Sequence, residues 1–118
     1  MAYTALTVQN ITRAGLEPTM TAAAAAGNYF PNDERTFLRV KNGSGSDITV
    51  SVSYGRRVDG ATLTDTKDVV IPDTTGDVFI GPFPKSDYDQ PVGSETGPGT
   101  VNVDFSAVTT VTVAAVRI

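Results

Sequence analysis

Aspartates are the residues whose spacing in this chain comes nearest to a reactive site. Asp73 and Asp77 bracket a short turn, and Asp65 and Asp68 precede them in the sequence. Calcium binding requires several oxygen ligands held in one loop, and an EF-hand loop needs a longer, defined spacing than the one found here. Aspartate is also a common turn-forming residue, which is the simpler interpretation of this segment. The sequence therefore predicts no metal site and no cofactor.

Two other charged pairs could carry chemistry. Asp87 and Asp89 lie in a segment rich in proline and glycine, whereas a glycosidase needs two acids that face each other across a cleft. Arg56 and Arg57 could clamp an anion or dock an acidic partner, although an exposed hairpin tip kept soluble by charge would have the same composition. We therefore keep the two arginines as candidate partner contacts and assign no catalytic residue.

The chain contains no histidine and no cysteine. The absence of histidine removes the commonest general base and transition-metal ligand, and with it Ser-His-Asp and Cys-His catalysis. The absence of cysteine removes disulfides and thiolate metal sites, and it fits folding in a reducing cytosol. These absences favour a protein that is not an enzyme.

Charge and hydropathy limit the partners. The 118 residues carry a net charge of −4, and residues 60–118 hold three basic against eight acidic residues. An acidic domain without a basic stripe is a poor ligand for nucleic acid, because phosphate contacts supply most of that affinity. No apolar run approaches the roughly 18–20 residues that span a bilayer, and the N-terminus lacks the pattern of a signal peptide. We expect a soluble, unprocessed protein that binds neither nucleic acid nor membrane.

Hydrophobic alternation predicts the element around which the rest of the chain is organised. Residues 48–54 alternate apolar and polar side chains, which is the period of a strand with one buried face. A second strand at 36–41 precedes a turn at 42–47, and together they predict a β-hairpin. Its expected core residues are Leu38, Val40, Ile48, Val50 and Val52.

Further strands are predicted along the chain, at residues 3–9, 67–71, 78–80, 100–105 and 109–118. Residues 27–35 are expected to form a loop whose Tyr29 and Phe30 cover one end of the core. Residues 84–99 form a long loop rich in proline and glycine, a length that is usually functional or disordered. With about seven or eight short strands, the chain is predicted to be all-β, a single β-sandwich domain over residues 1–118 with jelly-roll-like or Ig-like topology.

Several aromatic residues are spread through the chain, and together they allow two interpretations. They could form a sugar-binding platform, although aromatic residues in a small β domain more often belong to the core, and the chain has no tryptophan. The residues concerned are Tyr29, Phe30, Phe79, Phe83 and Tyr88.

Four segments resemble small virion proteins encoded in the structural gene clusters of tailed phages and prophages. They are Ala5-Leu-Thr-Val-Gln-Asn-Ile-Thr-Arg-Ala-Gly-Leu-Glu-Pro-Thr19, Arg35-Thr-Phe-Leu-Arg-Val-Lys-Asn-Gly43, Ile80-Gly-Pro-Phe-Pro84 and Val103-Asp-Phe-Ser-Ala-Val-Thr109. The resemblance covers most of the chain except residues 55–66 and 85–99, and it carries no catalytic motif. It implies a head-decoration (cement) protein that is made in the bacterial cytoplasm and resides in the virion. Its partners would be the major capsid protein or other virion proteins, and it would form a homo-oligomer, with a trimer over the capsid's local threefold axes expected.

On this hypothesis residues 1–30 form an arm that orders on a partner, and residues 84–99 form a second contact segment. The candidate contact residues are Leu6, Val8, Ile11, Leu16, Tyr29, Arg56, Arg57 and Tyr88. Two alternatives stay open: a head–tail connector or tail component that forms a ring, and a carbohydrate-binding β-sandwich module on the virion.

Overall fold

Two mixed β-sheets pack face to face in the computed structural model, which describes residues 3–55, 57–59, 61–62 and 65–118. The first sheet has the strand order β1-β4-β11-β6-β9 and the second has the order β10-β5-β12-β2, with β3 also paired to β12. The strands are β1 (Thr4–Ala5), β2 (Val8–Asn10), β3 (Thr21–Ala22), β4 (Asn28–Pro31), β5 (Thr36–Asn42), β6 (Ile48–Ser53), β7 (Arg57–Val58), β8 (Ala61–Thr62), β9 (Thr66–Ile71), β10 (Gly76–Ile80), β11 (Thr100–Phe105) and β12 (Val111–Arg117). Strands β7 and β8 form a separate two-stranded ribbon. The all-β sandwich predicted from the sequence is confirmed.

The core lies between the two sheets and is built from alternate residues of their strands. Leu38 and Val40 of β5 are fully buried, as are Val50 and Val52 of β6. Each such side chain contributes about 1.5–3 kcal/mol by leaving water. The five core residues predicted from the alternation, Ile48 included, are all buried.

The predicted hairpin is wrong, although both of its strands exist. Strand β5 pairs with β10 and β12 in one sheet, whereas β6 pairs with β9 and β11 in the other. Residues 43–47 therefore cross between the sheets. The alternation that buries one face of a hairpin is the same for two strands that face each other across a core, so this pattern does not separate the two arrangements.

The side chain of Asn42 holds this crossing. It is 1% exposed, and its Nδ2 donates to the carbonyl oxygens of Ser46 at 2.9 Å and of Pro72 at 3.1 Å. Its Oδ1 accepts the backbone N–H of Ser44 at 2.9 Å. A buried amide that satisfies several backbone groups replaces the ladder bonds that the chain gives up when it leaves a sheet.

The loop predicted at residues 27–35 is also partly wrong, because Asn28–Pro31 forms β4. This strand pairs with β11 on one side, where Phe30 lies opposite Val101, and with β1 on the other. Phe30 is fully buried and contacts Phe83, with 5.9 Å between the ring centroids. Pro31 is the last residue of this strand, a position where the missing N–H is tolerated.

Residues 3–30 are integrated into the sandwich and do not form a detached arm. Strand β1 runs parallel to β4, β2 runs parallel to β12, and β3 pairs with β12. Leu6, between β1 and β2, is 6% exposed and belongs to the core. The expectation that this segment orders only on a partner is therefore wrong for its described part.

The second half of the chain follows the sequence more closely. Strands β9, β10, β11 and β12 lie within a few residues of their predicted positions. Between β10 and β11 the chain has no strand and one short helix, α1 (Lys85–Tyr88). In the described part of the chain no helix has the length and apolar character needed to cross a membrane.

Candidate interaction surface

An apolar groove of about 490 Å³ lies on the outer face of the second sheet. The outward side chains of three adjacent strands form its floor, and a segment that we name the strap, residues 10–18, forms its wall. The lining residues are Phe37, Arg39, Phe79 and Val116 on the strands, with Ile11, Leu16 and Pro18 on the strap.

Pairing of distant strands brings the floor together. In the register of β10 with β5, Phe79 lies opposite Arg39, and in the register of β12 with β5, Val116 lies opposite Phe37. Cross-strand partners point to the same face of a sheet, so these four side chains share the outer face. The rings of Phe37 and Phe79 meet edge to face with 5.6 Å between their centroids.

Hydrogen bonds hold the strap to the sheet at one end and to Gln9 at the other. The N–H of Ile11 donates to the carbonyl of Arg117 at 2.8 Å, which continues the pairing of β2 with β12 by one residue. At the far end, the side-chain amide of Gln9 donates to the carbonyl of Thr19 and accepts its N–H. A turn at Gly15, with φ of 95°, reverses the strap between these points, a conformation that glycine adopts without strain.

The groove exposes large apolar side chains to water. Phe79 is 59% exposed and Ile11 is 46% exposed. Contiguous exposed apolar groups on a soluble domain mark interaction sites more often than single exposed residues do.

Arg39 supplies the charge at the floor of the groove. Its guanidinium donates to both carboxylate oxygens of Asp77, at 3.0 and 2.8 Å, and its Cζ lies 5.5 Å from the centre of the Phe79 ring. These hydrogen bonds raise the pKa of Arg39 and, with the nearby charge of Lys41, lower the pKa of Asp77. Because the guanidinium is already paired and stacked, it is held as a rigid part of the surface.

The predicted contact residues are distributed over several places. Ile11 and Leu16 both lie in the groove, which they share with strand residues far away in sequence. Val8 is partly buried against the core, and Leu6 is too buried to meet a partner on the folded chain. Tyr29 is half-buried in β4, on the other sheet. Arg57 begins β7, and Arg56 lies outside the described residues.

Tyr88 is an integral part of the loop that contains it. Its ring packs against Tyr54 and Phe83, with 5.2 Å between centroids in each case. Burial raises the pKa of its phenol, and the neighbouring Tyr54 adds to the shift. Of the five aromatic residues considered for a sugar platform, Phe30 and Phe83 are core residues and Phe79 stands on the opposite sheet from Tyr29.

The long loop is ordered by hydrogen bonds to the sandwich. Asn32 donates to the Asp89 carboxylate at 2.7 Å and to the carbonyl of Phe83 at 3.0 Å. The N–H of Gln90 donates to the carbonyl of Thr100 at 2.9 Å. Val92 at its tip is 79% exposed, so the loop offers a second, smaller apolar contact.

A polar cluster links Tyr3, which directly precedes β1, to β11 and to the long loop. The hydroxyl of Tyr3 donates to Asp104 at 3.0 Å, and its N–H donates to Glu95 at 3.0 Å. Burial, followed by the charge of Asp104, raises the pKa of Tyr3 to about 12. A side chain at Gly27 would come within 2.5 Å of the Tyr3 ring, so the glycine makes room for the tyrosine.

Sequence reasoning missed Phe79, Arg39 and Val116 as parts of one surface. A usable signal was present for Phe37 and Arg39, which the alternation of β5 already places on the outward face. A large apolar side chain on the solvent-facing side of an alternating strand does not fill the core, so it is a candidate for contact with another surface. The corresponding signal for Phe79 appears only when β10 is aligned beside β5.

Among the described residues, no group of three or more His, Cys, Asp or Glu side chains gathers as a metal site would. Comparison with protein-family models, with curated proteins and with solved structures gave no match. The fold and the groove define a β-sandwich with an exposed apolar groove on the outer face of one sheet.

Proposed function

We propose that this chain is a non-enzymatic structural protein of a tailed-phage virion, which binds the capsid surface as a head-decoration protein. The observation that supports this best is that two of the four segments resembling phage virion proteins supply five of the residues that line the groove. Residues 5–19 supply the strap, and residues 35–43 supply Phe37 and Arg39. The segment 80–84 directly follows Phe79 in the chain.

The groove suits binding to a protein surface. Phe79 and Ile11 together expose an aromatic and a branched aliphatic side chain beside a paired arginine, the combination found at the centres of protein interfaces. About half of each side chain is already covered, so burying the rest against the capsid would contribute about 1 kcal/mol for each. The partner on this proposal is the major capsid protein or another virion protein.

The charge of the rest of the surface suits a protein that must stay dissolved before it assembles onto a particle. The net charge of −4 opposes self-precipitation. The Arg39–Asp77 ion pair lies beside Phe79 on the floor of the groove, so a charged pair limits the continuous apolar area.

The test uses heads of the encoding phage that lack this protein. Purified chain is mixed with such heads and the bound fraction is measured by co-sedimentation. We expect Ile11→Asp and Phe79→Asp to reduce binding at least tenfold, because each places a carboxylate against an apolar contact surface. Val70→Asp is the matched control, since Val70 is also 59% exposed but lies on the first sheet.

Truncation is a poorer test than substitution. Removing residues 1–18 would also remove Leu6 and the strand β2, and so would damage the core. Single substitutions on the strap leave both in place.

Electron microscopy of the purified particle places the subunit directly. Density on the head surface supports a decoration protein, whereas a ring at the portal or density on the tail supports the connector or tail alternative. If the chain binds no head and instead binds glycans in a manner lost on replacing Tyr29 or Tyr88, the carbohydrate-binding alternative replaces the proposal.

A further inference from the structure

Strand β10 forms an open edge of the second sheet. Within the described residues its strand neighbour is β5, on one side only. Asp77 and Phe79 point outward, while Gly76, Val78 and Ile80 point toward the core. An edge of this kind presents unpaired N–H and C=O groups that can pair with another strand.

The other outer strands are less suited to pairing. Strands β1 and β2 are two and three residues long. Strand β9 carries the adjacent charges Lys67 and Asp68, which discourage pairing. Strand β10 has five residues with one charge, and it includes Phe79, the most exposed aromatic side chain of the described residues.

We propose that β10 pairs antiparallel with β10 of a second copy of this chain, about a two-fold axis at Val78. The two second sheets would then continue as one sheet across the dimer. A closed two-fold contact uses the same surface on both copies, so it does not propagate into a filament.

The side chains select this register. With the axis at Val78, Gly76 lies opposite Ile80 of the second copy, and Asp77 lies opposite its Phe79, so all five residues of the strand pair. An axis at Asp77 would place two aspartates directly opposite each other, which is unfavourable. An axis at Phe79 would bring Pro82, which has no N–H, into the ladder.

Charges and apolar groups are complementary in this register. Arg39 stacks on the Phe79 ring of its own copy, and the residue opposite that ring is Asp77 of the other copy. The ring therefore lies between the guanidinium of its own copy and the Asp77 carboxylate of the second copy, while each Arg39 keeps its pair with Asp77 of its own copy. The two Phe79 rings become diagonal neighbours, at roughly 7–8 Å between backbones, which aromatic side chains can bridge.

The inward side supports the same pairing. Val78 is only partly buried, although it packs against the core cluster. At the axis it would meet Val78 of the second copy, and each would cover the other. Gly76 leaves space for the opposing Ile80, and it must stay glycine because a Cβ there would collide with the carbonyl of Pro72.

A cysteine at the axis tests the geometry. Residues directly opposite in an antiparallel pair have Cα atoms roughly 4.5–5.5 Å apart, within the range that a disulfide spans. Because the chain has no cysteine, Val78→Cys introduces a single thiol. We expect mild oxidation to convert it to a disulfide-linked dimer at least tenfold faster than Val70→Cys, the matched control on the outer strand of the other sheet.

A mass measurement tests the association without a cross-link. Sedimentation equilibrium over a concentration series should show the wild-type mass rising from 12.3 kDa toward twice that value. Phe79→Asp should stay at the monomer mass, and Ile11→Asp should behave as wild type because Ile11 lies on the strap. Circular dichroism of each variant checks that it is folded.

A wild-type chain that stays monomeric, or that assembles as a trimer, would overturn the proposal. Equal cross-linking of Val78→Cys and Val70→Cys would do the same, and if the cysteine variant does not fold, the mass series still decides. Capsid binding is measured separately through Ile11, so failure of the dimer leaves the proposed function standing.

Discussion

The side-chain amide of Gln9 forms two hydrogen bonds with the backbone of Thr19. Its Nε2 donates to the Thr19 carbonyl at 3.0 Å, and its Oε1 accepts the Thr19 N–H at 2.8 Å. These two hydrogen bonds hold the two ends of the strap together. The Gln9 side chain thus takes the place of the backbone hydrogen bonds that join neighbouring strands elsewhere in the sheet. The position of Ile11 and Leu16 above the groove depends on this closure.

Gln9→Ala is expected to loosen the strap and leave the sandwich folded. Loss of two hydrogen bonds at an exposed site costs about 1 kcal/mol of the free energy of unfolding. The measurement is amide hydrogen exchange, which should become faster across residues 11–18 and stay unchanged in β5 and β12. Gln9→Glu, which places a carboxylate oxygen against the Thr19 carbonyl, should loosen the strap at least as much, and equal exchange in wild type and Gln9→Ala would contradict the role of this pair.

Asn42→Ala is expected to lower the free energy of unfolding by about 2–4 kcal/mol, because it leaves several buried backbone groups without partners. Denaturant unfolding measures the change. Lys41→Ala is the control, since Lys41 is the exposed neighbour in β5, and it should stay within about 0.5 kcal/mol of wild type. Similar costs for the two variants would mean that Asn42 does not hold the crossing between sheets.

Phe30→Ala is expected to cost about 3–5 kcal/mol, as for other large-to-small changes in a packed core. The matched variant is Phe79→Ala, which removes the same side chain from an exposed position and should cost less than about 1 kcal/mol. Thermal or denaturant unfolding at low protein concentration compares them. A small loss of unfolding free energy for Phe30→Ala would contradict the buried strand β4 and favour the loop that the sequence predicts for residues 28–31.

Ionisation of Tyr3 is expected to destabilise the fold at alkaline pH. Its pKa rises from 10.0 to about 12 on folding, mainly through burial and then through the charge of Asp104. A raised pKa means that the folded state favours the neutral phenol, so this contribution is complete below pH 10 and is lost as the pH rises toward about 12. The free energy of unfolding, measured across that window, should fall less steeply in Tyr3→Phe. Parallel curves for the two proteins would exclude this contribution.

Local patterns in the sequence predict the strands well. The alternation at residues 36–41, 48–54, 100–105 and 109–118 corresponds to β5, β6, β11 and β12, because the period of two follows from backbone geometry alone. The same alternation also places Phe37 and Arg39 on the outward face. Two of the groove residues, Ile11 and Leu16, are among the contact residues expected on the phage-protein hypothesis.

Local patterns do not predict which strands pair with each other in a sheet. Strands β5 and β6 are separated by five residues, a connection that suits a hairpin as well as a crossing of the roughly 10 Å between packed sheets. The choice is made by neighbours that lie far away in sequence, such as β10 and β12 for β5. Strand β4 was missed for a related reason, since Phe30 is held by β11, about seventy residues later in the chain.

The sequence by itself determined where the longer strands lie, which faces of those strands are apolar, and that histidine and cysteine chemistry is absent. Only the tertiary structure decided which strands share a sheet, and therefore that Phe37, Phe79 and the strap meet in one groove beside an open edge. The physical reason is that alternation and turn residues act over a few neighbours, whereas sheet partners are selected by packing and hydrogen bonding across the whole chain.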